Sequence, residues 1–206
     1  MMTVQINTIK NQIDHLINLG FPELLKLSDQ EYANTFRMIG DPTFPGYKNR
    51  FDFPVVVDPR LPVAELIAKA GINNYLKYNE IAHLSGGLPG PYIFFTHDSK
   101  RYASHSAASA VSKFAPDEVG CTLQELIFFY LYEPRFFEGI SMDAILTNFR
   151  QDDYHPCIVR VTDRAEIGAH WHNDVSAGMN ILSKGDCLYK FGLDGGNCFN
   201  KKNTVE

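Results

Sequence analysis

The residues best equipped for chemistry stand late in the chain, in His170-Trp171-His172-Asn173-Asp174, with Cys157 upstream of them. Imidazole nitrogens and a thiolate sulfur are what zinc or another divalent transition metal prefers, and a carboxylate can complete such a set. Side chains of an extended strand alternate between faces, so His170, His172 and Asp174 project to one side. Ile167, Ala169 and Trp171 project to the other, toward a core. A hairpin turning at Arg164-Ala165 sets Val159 opposite His170 and Cys157 opposite His172, so that two imidazoles and a thiol share one face. A three-residue turn shifts the register by one and brings Cys157 beside Trp171 instead. The plain alternative is a half-solvated sheet face whose histidines bond to neighbours or water.

A second group is Asp152-Asp153-Tyr154-His155, in which Asp153 and His155 are candidates for a general acid and base. Capping of local amides, the usual work of Asp in a loop, accounts for the same residues. His97-Asp98 and Ser104-His105-Ser106 invite a nucleophile-and-base reading. There is no Gly-x-Ser-x-Gly elbow, however, and neighbours in sequence do not aim their side chains at each other. The run Gly86-Gly87-Leu88-Pro89-Gly90 has neither the Gly-Lys-Ser/Thr ending of a phosphate loop nor the spacing of a dinucleotide fingerprint, and reads as a turn. Cys121 reads as a buried, inert thiol.

These residues need elements to hold them. Ile9, Ile13, Leu16 and Ile17 recur at helical spacing, closed by Gly20. Pro22 opens a short segment to Leu27, and Ser28-Asp29-Gln30-Glu31 is a capping box for a helix to about Ile39. A Pro- and Gly-dense loop from Gly40 to Arg50 follows, with Phe44 and Tyr47 as candidates, beside Trp171, for a ligand or partner surface. Strands are expected at Phe53 to Val57 and Tyr92 to Thr96, and helices at Pro62 to Ala70, Ile72 to Leu84, Ser104 to Ser112, after the capping box Thr122-Leu123-Gln124-Glu125, and at Ser141 to Phe149. Cys157 to Thr162 and Ile167 to His172 form the late hairpin. The expected fold is α/β of the α+β type: one compact domain over residues 1–199, helices in the first two thirds around a small mixed or antiparallel sheet, and a frayed tail at 200–206.

The chain has 206 residues, 45% hydrophobic, with a net charge of -5 and no run of basic residues longer than the pair Lys201-Lys202, which argues against nucleic acid as a partner. No apolar stretch reaches the length of a bilayer span and no signal peptide opens the chain, so the expectation is a soluble cytoplasmic protein without a membrane partner. The four cysteines, Cys121, Cys157, Cys187 and Cys198, lie far apart without a Cys-x-x-Cys pair and are expected to be reduced thiols.

The order of motifs resembles an uncharacterised bacterial family, a domain of unknown function of about this length. Ile13 to Leu19-Gly20-Phe21-Pro22-Glu23-Leu24 with Leu27-Ser28 and Glu31 carries the resemblance, followed by Phe53-Pro54-Val55-Val56-Val57, Gly90-Pro91-Tyr92, Thr122-Leu123 and Gly168-Ala169-His170-Trp171. The resemblance covers most of the chain and implies one compact domain, with no activity, cofactor or partner attached. Two functions are therefore carried forward. One is a binding or interaction module for a protein or small molecule. The other is a metal-dependent hydrolase or related enzyme, with His170 and His172 as ligands, Cys157 or Asp174 as a third, and Asp153 or His155 in acid-base work.

Overall fold

The computed structural model describes residues 2–37, 50–77, 81–83, 90–98, 100–150, 153–161, 164–175, 178–191 and 198–200. Its α-helices among these are α1 (Met2–Asn18), α2 (Phe21–Leu24), α3 (Asp29–Thr35), α4 (Val63–Lys69), α5 (Ala107–Val111) and α6 (Leu123–Tyr132). The strands are β1 (Phe53–Val57), β2 (Ile72–Asn74), β3 (Ile81–His83), β4 (Tyr92–Thr96), β5 (Glu118–Gly120), β6 (Ser141–Asp143) and β7 (Thr147–Phe149). They continue with β8 (Tyr154–Val161), β9 (Arg164–Trp171), β10 (Met179–Ile181), β11 (Ser183–Gly185), β12 (Cys187–Lys190) and β13 (Cys198–Asn200). The result is an α+β fold with mixed and antiparallel sheets and the expected late hairpin. It divides into two compact units: Met1–Pro62, Gly87–Thr96 and Gly185–Glu206 in one, and Val63–Gly86 with His97–Lys184 in the other. The loop holding Phe44 and Tyr47, the Gly86 to Pro89 turn and the tail beyond Asn200 lie outside the described residues.

In the first unit, β1 and β4 pair antiparallel, β12 pairs β4, and β13 pairs β12. The helical stripe of α1 buries Ile9 and Leu16, and with them Gln12. The Gln12 amide clips the helix to β1, its Nε2 donating to the Pro54 carbonyl at 2.7 Å and its Oε1 accepting from Val56 N–H at 2.8 Å. Gln12→Leu keeps the volume and removes both bonds from buried backbone groups, and is expected to cost about 2–3 kcal/mol in urea unfolding. Gly20 takes the left-handed conformation expected at the helix end, with φ 76°. The Ser28/Glu31 capping box forms as expected, with the serine amide donating to Glu31 Oε2 at 2.8 Å, but α3 ends at Thr35, earlier than its periodicity suggests.

The second unit holds a seven-stranded sheet built on β8 and β9. The strand β9 runs antiparallel to β8 along its length, and β2 joins the far edge of β9 in parallel. On its other edge β8 pairs β6 and β7, which are extended by β10 and β3 respectively. Two expected helices are strands instead. Residues 72–84 supply β2 and β3, and 141–149 supply β6 and β7. Each is three residues long, too short for periodicity to speak, and each is held by ladder bonds to residues distant in sequence, which override local propensity. At the end of β2, Asn74 turns the chain by bonding through its side chain to both backbone groups of Leu76, each at 3.0 Å.

The expectation of four reduced thiols is corrected. Cys187, which opens β12, is disulfide-bonded, whereas Cys121 and Cys157 are free and buried. Spacing along the chain does not report which cysteines a sheet brings together, so the wide separation was no obstacle. No helix among the described residues is long and apolar enough to cross a membrane.

Candidate active site

The hairpin register decides what meets what. The pairing is Cys157 with Gly168, His155 with His170, Tyr154 with Trp171 and Val161 with Arg164. The turn is thus not Arg164-Ala165, and Cys157 is not opposite His172. The displacement from the expected register is an even number of residues, however, and even slips conserve faces. Cys157 and His170 therefore still share a face, as anticipated, while Tyr154 and Trp171 lie on the other.

On the neighbouring strand, Asp143 of β6 stands opposite Cys157, so that Asp143, Cys157 and Gly168 form a row across three strands with His170 two residues along from Gly168. His170 spans the row. Its Nδ1–H donates to Asp143 Oδ1 at 2.8 Å, and its Nε2 lies 3.8 Å from Cys157 Sγ. One donor atom from each of the three residues falls within 4.8 Å of the others. Asp143 is 1% exposed and Cys157 2%, whereas the His170 side chain is 26% exposed, so the imidazole alone reaches toward solvent.

The electrostatics follow from that burial. Asp143 is pushed above the usual carboxylate range by desolvation, against which the His170 hydrogen bond pulls it down. His170 is pushed up to about 10, first by its bond to Asp143 and second by the contact with Cys157. At neutral pH the imidazole is a cation between a buried carboxylate and a buried sulfur.

Two further histidines extend the face. His155 is buried on β8, not in the polar loop its sequence neighbours suggested, and its Nδ1–H donates to the Thr147 carbonyl at 3.3 Å. Its Nε2 meets His172 Nδ1 at 2.8 Å. Burial lowers the pKa of His155 and holds the ring neutral. His172 therefore belongs to a pair with His155 and not to the Asp143, Cys157 and His170 group. Asp153 and Asp174 are exposed, and Trp171 is 44% exposed on the opposite face of the hairpin.

Asp143 is the member that the sequence reading missed. It was assigned to a short helix, and only the pairing of β6 with β8 brings it beside Cys157. A cue was present in Ser141-Met142-Asp143, where a single buried apolar residue alternates with polar ones. The other serine and histidine candidates do not assemble a nucleophile. His97 Nε2 meets Ser183 Oγ at 3.0 Å, and Ser183 also donates to Glu118, which in turn holds Tyr102 at 2.9 Å and Arg101 at 3.3 Å. His97, Ser183, Glu118 and Tyr102 are all buried, and desolvation pushes His97 down to about 4. The carboxylate contacts the serine and not the imidazole, which is a structural network and not the order that activates a hydroxyl. His105 is turned toward the Ala103 carbonyl at 3.0 Å.

The donor atoms suit a borderline metal, but Asp143 occupies Nδ1, which leaves Nε2 and Sγ as two inner positions with the carboxylate behind the ring. The same arrangement, read from sulfur to Nε2 to Nδ1 to carboxylate, is the sequence of contacts that makes a thiol nucleophilic. The chain matches no family model, no curated protein and no solved structure.

Proposed function

We propose that this protein is a thiol-dependent acyl-transfer or hydrolytic enzyme in which Cys157 is the nucleophile, His170 its acid and base, and Asp143 the carboxylate that orients His170. One observation carries the reading: the two ring nitrogens of His170 serve two different partners, Nδ1 the Asp143 carboxylate at 2.8 Å and Nε2 the Cys157 sulfur at 3.8 Å. A metal on Nε2 would keep the same carboxylate contact at Nδ1, but it would then face only Nε2 and Sγ, fewer than the three or four protein ligands of a zinc site. An imidazolium beside sulfur is the counter-ion that a thiolate requires, and a buried carboxylate keeps the ring in the tautomer and charge state the work demands.

In the first step the Cys157 thiolate attacks an acyl carbon and a C–S bond forms. The bond to the leaving group breaks, and that group takes the Nε2 proton of His170. In the second, water gives a proton to the neutral ring, its oxygen attacks the thioester carbon, and the C–S bond breaks to return thiolate and imidazolium. Gly168 supplies the approach. A Cβ built there would meet nothing within 4 Å except the sulfur, at 3.7 Å, so the missing side chain leaves room beside the thiol.

The test is incubation with p-nitrophenyl acetate, followed by intact mass and peptide mapping. An acetyl group on Cys157 is expected, absent in Cys157→Ser and in His170→Ala. Cys121, fully buried and raised well above the ordinary thiol range by desolvation, is expected to stay unmodified. Gly168→Ala fits sterically but covers the sulfur, and is expected to slow acylation on the order of tenfold while the melting temperature stays put. Acetylation that ignores His170→Ala would sink the proposal. One equivalent of zinc in protein purified without an affinity tag, lost in Cys157→Ser, would replace it with a metal centre.

A further inference from the structure

A sulfur held beside an imidazolium is a nucleophile toward peroxide oxygen as well as toward acyl carbon, because the thiolate is the reacting species in both cases. What an oxidant meets at Cys157 is set by three neighbours. Gly168 is partly exposed, and beyond its own chain neighbours the position of its missing Cβ touches nothing within 4 Å except the sulfur, at 3.7 Å. An oxygen atom thus has a place against the sulfur. His170 Nε2 stands 3.8 Å from Sγ, a long contact that sulfur tolerates and that an added oxygen would replace with an ordinary hydrogen bond. The other free thiol among the described residues, Cys121, is fully buried, and desolvation holds it well above the ordinary thiol range. It therefore lacks the thiolate needed to attack an oxidised Cys157. Cys187 is already disulfide-bonded.

We infer that Cys157 is a peroxide-sensitive regulatory thiol, oxidised reversibly to a sulfenic acid that His170 holds and Cys121 does not resolve, so that peroxide switches off the thiol chemistry of the site. This rests on the thiolate of the proposed function. The Cys157 thiolate attacks one oxygen of hydrogen peroxide, an S–O bond forms and the O–O bond breaks. The departing hydroxide takes the Nε2 proton of His170 and leaves as water. Sulfur is oxidised by two electrons and the peroxide is reduced by two. The S–OH group then donates to the bare Nε2, while Nδ1–H still donates to Asp143. Acylation stops because no thiolate is left. An external thiol restores it by attacking the sulfur, which releases water and forms a mixed disulfide, and a second thiol then frees Cys157.

The experiment is brief exposure of the whole protein to hydrogen peroxide with dimedone, which adds to sulfenic acids, followed by peptide mapping. Acetylation of Cys157 by p-nitrophenyl acetate is read on parallel samples. A dimedone adduct is expected on Cys157 and none on Cys121. Without dimedone, peroxide is expected to abolish acetylation and dithiothreitol to restore it. The rate of adduct formation is expected to fall on the order of tenfold in His170→Gln and in Asp143→Asn, each with an unchanged circular dichroism spectrum. Asp143→Asn alone decides the point if His170→Gln fails to fold. An adduct rate that these substitutions leave unchanged overturns the inference, as does a Cys157–Cys121 disulfide, or a loss of acetylation that dithiothreitol does not reverse. Acetylation of Cys157 without any dimedone adduct also overturns it and leaves the thiol reading standing. The adduct without acetylation supports the inference and overturns the acyl-transfer reading, and a Cys157 that neither reagent touches overturns both.

Discussion

Asp143→Asn is expected to lower the rate of Cys157 acylation on the order of 10³- to 10⁴-fold while leaving the fold in place. The amide is the same size as the carboxylate, so packing around β6 is conserved. What changes is the contact at Nδ1, now 2.8 Å from a carboxylate oxygen. An uncharged amide no longer stabilises the imidazolium, and its NH₂ group can donate to Nδ1 and so favour the tautomer that puts a proton on the wrong nitrogen. Loss of this orientation alone has effects of this size in triads of the same order. The measurement is single-turnover acylation by p-nitrophenyl acetate. A loss smaller than tenfold would show that Asp143 does not act through His170.

The same substitution has a signature in stability. His170 is raised from 6.5 to about 10, chiefly by Asp143. A group raised on folding contributes stability that is fully present below its unfolded pKa, here about 6.5, and lost as pH rises through its folded value, here about 10. The gap in urea midpoint between wild type and Asp143→Asn is therefore expected to be widest below about pH 6.5, to shrink steadily as pH rises, and to be nearly closed at about pH 10. A gap of constant width would mean that the ring and the carboxylate are not an ion pair.

Lys184→Met is expected to destabilise the protein by about 3–5 kcal/mol. Lys184 and Glu125 form an ion pair whose side chains are 1% and 2% exposed. Such a pair stabilises less than its Coulomb energy suggests, because two charges have left water, but removing one partner leaves the other charged and desolvated. Glu125 is also the N3 member of the box that caps α6, accepting from Thr122 N–H at 2.8 Å through its second oxygen. Glutamine can keep that cap without a charge. The double variant Lys184→Met with Glu125→Gln is therefore expected to recover most of the loss in urea unfolding. Equal losses in the single and double variants would locate the cost in packing and not in the lost ion pair.

Features that depend on a few neighbouring residues could be read from the chain. Both capping boxes, at Ser28 and Thr122, are reciprocal bonds between positions three apart, and both form. The left-handed Gly20, the strands at Phe53–Val57 and Tyr92–Thr96, and the existence of the late hairpin belong to the same class. The shared face of Cys157 and His170 was legible as one of two possible registers, because alternation fixes faces within each strand and the pairing of β8 with β9 selects the register that keeps the two together.

What only the tertiary structure decided is which distant residues stand beside that face. Asp143 reaches Cys157 through the pairing of β6 with β8, two strands whose local sequences do not announce each other. His155 left its polar loop for a buried strand position because β9 pairs along its whole length, and that pairing turned two separate histidines into one directed pair. Ladder bonds between remote segments outweigh the weak preferences of three-residue stretches, so β2, β3, β6 and β7 appear where helices were expected. The sequence by itself allowed a thiol and an imidazole to share a surface, and the β8–β9 register decided that they do. The fold added the buried carboxylate, and with it the charge on His170 and the order of contacts from sulfur to carboxylate, because burial and cross-strand register are properties of the assembled sheet.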